Sequence, residues 1–116
     1  MATELVVGST RRDLIVTLTD ETGAALNLVG ALEVKLQGTS LELPTKTINT
    51  TMVFVGNGSD GKVKKAQVGN LVTHTDLGAV TRATFTFRVY FKDISGLVDY
   101  SPTFELTYVH PPVDPT

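Results

Sequence analysis

The side chains able to do chemistry are few and scattered. There are two histidines and no cysteine, which excludes disulfides, thiolate metal sites and cysteine nucleophiles. His74 and His110 lie far apart in the chain, and Asp76, two residues past His74, does not complete a recognisable zinc spacing. No serine sits in a Gly-x-Ser-x-Gly elbow, and no Gly-rich run leads into the Lys-Ser or Lys-Thr of a phosphate cradle. The carboxylates Asp13, Asp20, Glu21, Glu33, Asp60, Asp76 and Glu105 are dispersed, and nothing in their spacing marks an acid/base pair. We therefore expect no catalytic, cofactor-binding or metal-ligating residue, and no enzyme.

Binding chemistry is also thin. Lys62, Lys64 and Lys65 make one small basic run, and Arg11 with Arg12 another. Either could meet an acidic partner, but lysines on a sheet edge also discourage unwanted strand pairing. Ten Lys plus Arg against twelve Asp plus Glu give a net charge of -2, too weak and too mixed for a nucleic-acid binder. A glycan would need stacking faces, and with no Trp only Tyr90, Tyr100 and Tyr108 could supply them. The triplets Asn49-Thr50-Thr51 and Asn57-Gly58-Ser59 fit the glycosylation pattern, which matters only on a eukaryotic secretory route, and chance matches are the expectation here.

The elements that would position these residues read as strands. Leu14, Val16 and Leu18 alternate with Asp13, Thr17 and Thr19, which describes a half-buried strand ending at the Asp20-Glu21-Thr22-Gly23-Ala24 reversal. Leu32, Val34 and Leu36 alternate with Glu33 and Lys35 in a second strand, which Gly38 should close. From Leu41 to Val55 the composition favours extended chain, with Pro44 marking a bend or gap. Gly56 to Gly61 contains Asn-Gly and Asp-Gly and predicts an exposed hairpin tip. Asn70 to Ala79 predicts a loop or a short helical turn started by Thr75 or Asp76. The clearest strand is Ala83 to Phe91, with Ala83, Phe85, Phe87, Val89 and Phe91 on one face and Thr84, Thr86, Arg88 and Tyr90 on the other. Asp93 to Gly96 turns the chain, and Pro102 to Val109 returns with Phe104, Leu106 and Tyr108 on one side.

These strands, with no amphipathic helix among them, predict one all-β domain over residues 1–110, an antiparallel sandwich or small barrel of about seven strands. Residues 111–116, rich in proline, should form an extended tail. Met1-Ala2-Thr3-Glu4 lacks the look of a signal peptide, and no apolar run approaches the roughly 20 residues that span a bilayer, so no membrane partner is expected. Charged residues make up only 19% of the chain, which leaves room for surfaces covered by partners. Two segments stand out as candidate contacts. Thr3 to Gly8, with Leu5, Val6 and Val7 adjacent, should be an edge strand of its own domain or a strand added to a neighbour. The exit from the last strand, His110, Pro111, Pro112 and Val113, could lie along another subunit.

Val7-Gly8-Ser9-Thr10, Leu14 to Asp20 with Thr22-Gly23, Leu26-Asn27-Leu28-Val29-Gly30-Ala31 and the C-terminal pair from Arg82 to Val109 together resemble the N-terminal Ig-like domain of phage baseplate upper proteins. The resemblance implies an Ig-like antiparallel β-sandwich acting as a virion structural protein. Its implied partners are other virion proteins, or further copies of itself in a multi-copy assembly, with the virion as its location and no cofactor. A capsid decoration protein of Ig-like fold and a free-standing adhesin or glycan-binding module are the alternatives.

Overall fold

The computed structural model describes residues 3–10 and 12–110. The described residues form nine strands: β1 Thr3–Val6, β2 Leu14–Thr17, β3 Glu33–Ser40, β4 Thr47–Thr51, β5 Val53–Phe54, β6 Lys62–Lys65, β7 Arg82–Lys92, β8 Val98–Tyr100 and β9 Phe104–Val109. A 3-10 turn, Val68–Leu71, and one helical turn, α1 His74–Leu77, fill the link between β6 and β7. The larger sheet runs β1-β9-β7-β3-β4, with β8 also paired to β7, and the smaller runs β2-β6-β5. The protein is an all-β sandwich, as its alternation predicts. It departs from the expectation in two respects: there are more strands than seven, and β1 runs parallel to β9, so the larger sheet is mixed. Two adjacent strands can be parallel here because the whole chain between them serves as the crossover.

β7 organises the core. Ala83, Phe85, Phe87, Val89 and Phe91 all point inward and are buried, as the sequence pattern requires. They meet Val34 and Leu36 of β3, Ile48 of β4, Leu106 and Tyr108 of β9, and Val63 of β6 in one cluster. Leu14, Val16 and Leu18 close it from the opposite layer. Tyr108 is fully buried, edge-on to Phe85 with ring centroids 5.5 Å apart. Its hydroxyl donates to the Val68 carbonyl at 2.9 Å, which satisfies the one polar atom that this ring brings inside.

Several local readings need correction. Leu32 precedes β3 and is exposed, so the inward face of that strand starts at Val34. Gly38 does not end the strand: it pairs with Phe87 in the middle of β3, and a Cβ there would fall 2.6 Å from the Phe87 ring. Glycine is needed so that the aromatic ring can lie across the backbone. Gly56 to Gly61 does connect β5 to β6, but it is not a free tip. Leu28 N–H donates to the Gly58 carbonyl at 2.9 Å and Leu18 N–H to the Gly61 carbonyl at 2.8 Å. Gly61 itself is pressed against Leu18 and Leu26 backbone, with φ at 74°. Helix α1 is capped by Thr73, earlier than expected: its side chain accepts from Asp76 N–H at 3.1 Å, while Asp76 accepts from Thr73 N–H at 2.9 Å. That reciprocal capping box satisfies two otherwise orphaned donors.

Two predictions follow from this packing. Gly38→Ala should cost about 1–3 kcal/mol by overpacking and Phe87→Ala about 3–5 kcal/mol by leaving a cavity. Their double variant should lose less than the sum in denaturant titration, because removing the ring removes the clash; strict additivity would refute the contact. Asp76 is held below the usual carboxylate range by the Thr73 N–H and, further, by Lys46 at 3.2 Å, against an opposing effect of burial. A carboxylate whose value is lowered on folding stabilises the fold fully above its unfolded value, and this contribution is lost as pH falls through the lowered, folded value. Asp76→Ala should cost about 1 kcal/mol at neutral pH, and in acid titration the gap to the natural chain should close below about pH 4.

Candidate functional site

The outward face of the larger sheet is a grid set by strand register. Tyr100, Tyr90 and Lys35 lie across β8, β7 and β3 in one row, with Thr51 of β4 beyond. In the next row Arg88, Gln37 and Asn49 are neighbours. Glu105, Thr86, Thr39 and Thr47 form the third. On β7 these positions alternate with the buried Phe85, Phe87, Val89 and Phe91, which leaves Thr86, Arg88 and Tyr90 on the outward face.

A β-bulge breaks the second row. Between the pairs Tyr90↔Tyr100 and Phe87↔Phe104, β7 supplies Arg88 and Val89 while the returning chain supplies Ser101, Pro102 and Thr103. The extra residue lets Tyr100 face outward and Phe104 inward. Pro102, which has no N–H to give, falls in the bulge. Ser101 repairs the ladder: its N–H donates to the Val89 carbonyl, and its hydroxyl accepts from Val89 N–H, both at 2.8 Å. Where the neighbouring strand is interrupted, Arg88 borders an open groove of about 550 Å³. Its polar walls are Gln37, Thr39, Thr47, Asn49, Thr86 and Thr103.

Arg88 is held on two sides. Its guanidinium lies over the Tyr100 ring, 4.0 Å from the centroid, and its Nε–H donates to Gln37 Oε1 at 3.1 Å. Tyr90 leans against Tyr100 with centroids 5.7 Å apart. The Tyr90 phenol is raised above its ordinary range, chiefly by partial desolvation and then by the adjacent Glu33 carboxylate. Tyr108, the third tyrosine that might have offered a stacking face, is in the core, and burial pushes its phenol far up. Local sequence could indicate that Tyr90 and Arg88 share a face. It gave no sign that the bulge brings Tyr100 to them.

The candidate contact residues fall into separate places. Leu5 and Val7 are buried in the domain's own core, so their side chains are not open to a partner; Val6 points outward and is 38% exposed. The opening segment is therefore an edge strand of this domain, locked by the parallel ladder to β9 and by the Glu4–Arg82 ion pair. Pro111, Pro112 and Val113 lie outside the described residues, as does Arg11. Lys62, Lys64 and Lys65 are on β6, the central strand of the smaller sheet and not an edge. Lys64 pairs with Asp13 at 3.4 Å.

His110 and His74 are brought together, a juxtaposition that their spacing hid. Their Nδ1 atoms are 3.0 Å apart and the rings stack at 27°, while His110 Nε2 lies 3.0 Å from the Gly78 carbonyl. A carbonyl only accepts, so Nε2 of His110 is the donor to Gly78; in the neutral form of His110 its Nδ1 is then the acceptor and His74 donates from Nδ1. The pair fastens the end of β9 to α1. Asp76 turns away from it to Lys46 and Thr73. Among the described residues no three His, Asp or Glu side chains converge for a metal ion.

A second surface lies at the β7–β8 turn. Leu32, Ile94 and Leu97 are 59%, 70% and 69% exposed, and Val29 and Val98 are also open. They form one tip because Leu32 N–H donates to the Lys92 carbonyl at 2.8 Å and Ile94 packs over Gly30. No family model matches the chain, and no curated protein matches it.

For the neutral imidazoles, long-range proton–nitrogen spectra should show His110 as the Nε2–H tautomer and His74 as the Nδ1–H tautomer. The reverse assignment for His110 would break the Gly78 contact and refute the pairing.

Proposed function

We propose that this chain is a non-enzymatic structural module of a phage particle, an Ig-like domain of tail or baseplate that works through protein–protein contacts. The observation that carries the reading is the apolar tip of Val29, Leu32, Ile94, Leu97 and Val98. Five large apolar side chains on two touching turns are all open to water, a concentration of exposed apolar surface that soluble domains reserve for association. The likeness of the strand and turn sequence to baseplate upper proteins gives the partners their class: other virion proteins, or copies of the same chain.

The tip contributes little to the fold, since its side chains are largely solvated. Ile94→Glu with Leu97→Glu should leave stability within about 0.5 kcal/mol of the natural chain. In particles assembled with the double variant, the protein should be missing or strongly depleted by mass spectrometry, whereas the natural chain should be present in fixed copy number. Normal incorporation of the variant would refute the tip as the contact, and absence of the natural chain from particles would refute the virion role.

A further inference from the structure

We propose that the groove beside Arg88 on the larger sheet is a binding site for an acidic oligosaccharide, with Arg88 receiving a sugar carboxylate. The proposal rests on the sheet face around Arg88 and does not depend on the assembly role.

Arg88 is prepared for a carboxylate. The face of its guanidinium is taken by Tyr100 and its Nε–H by Gln37, which fixes the plane of the fork. Its Nη groups have no other hydrogen-bond partner among the described residues. A planar guanidinium with its remaining donors free and its orientation already set matches a carboxylate in the bidentate way that a lysine cannot. Lys35, one row away beside Tyr90, adds a second positive charge on a chain whose net charge is -2.

The rest of the groove indicates what carries the carboxylate. Its polar lining groups are the hydroxyls and amides of Thr39, Thr47, Thr86, Thr103, Gln37 and Asn49. These groups both donate and accept, as sugar hydroxyls do. A protein partner would want apolar anchors, and here the apolar Ile48 and Phe87 are buried beneath the surface. A nucleic acid would need a longer run of cations than Arg88 and Lys35 provide.

The test is titration of the purified chain with tetragalacturonic acid, followed by amide NMR and calorimetry. Binding should perturb β3, β4 and β7 around Arg88. Arg88→Ala and Arg88→Lys should each weaken it by about tenfold or more, because the fork and not the charge alone is required. Asn49→Ala, which leaves the Arg88–Tyr100 stack intact, should also weaken it, while Lys64→Ala on the smaller sheet should not. Full methyl esterification of the oligomer should reduce affinity to the level of the Arg88 variants. Equal binding of the ester, displacement by inorganic sulfate at the same concentration as by the oligomer, full retention of affinity by Arg88→Lys, perturbation confined to other surfaces, or no saturable binding would each overturn the proposal.

Discussion

Everything in the larger sheet depends on the register of β7. This strand pairs with β3 along one side and with β8 and β9 along the other, so its pleat decides which residues of four strands are inside. Its inward set is apolar without exception, from Ala83 to Phe91, and its outward set is polar or amphipathic, including Arg88 and Tyr90. A slip of one residue would put a guanidinium into the core and three phenylalanines into water, at a cost far beyond the stability of a small domain. Core and candidate site are thus two faces of one constraint.

The departures from ideal strand geometry fall where that constraint meets crowding. Phe87 needs room, and Gly38 opposite provides it by having no side chain. The return strand must turn Tyr100 out and Phe104 in, and one extra residue does so, with the Ser101 hydroxyl standing in for a ladder partner. Where a polar atom is carried inside by an aromatic ring, as in Tyr108, a backbone carbonyl receives it. Among the described residues no buried side-chain polar atom is left without a partner. The polar groups that remain free are on the surface, where they can serve a ligand.

What the sequence made legible was what period-two alternation encodes. Leu14 to Leu18, Val34 to Leu36, Ala83 to Phe91 and Phe104 to Tyr108 all face as their patterns require. What it concealed was set by contacts between distant segments. Gly38 reads as a strand end, because glycine weakens strands unless another side chain occupies its place, and the occupant, Phe87, is on another strand. Leu32 continues the alternation of β3 in sequence, but the chain there has already turned to meet Lys92. The bulge at Ser101 to Thr103 looks like one continuous strand with an early proline. The His74–His110 contact and the parallel β1–β9 ladder join segments with no local pattern in common, so nothing short of the tertiary fold could reveal them.

The parallel ladder also fixes how the domain would carry load. Thr3 is level with Leu106 and Val6 with Val109, so the chain comes in at one end of the ladder and goes out at the other. Tension applied through the two flanking segments would act along the strands and strain the ladder's hydrogen bonds together, in shear. An antiparallel terminal pair with both ends on one side would instead be peeled apart one bond at a time. The Glu4–Arg82 ion pair and the buried Leu5 and Val7 add resistance to the same sliding movement. In a string of linked domains, this one would transmit a pull end to end as a stiff coupling.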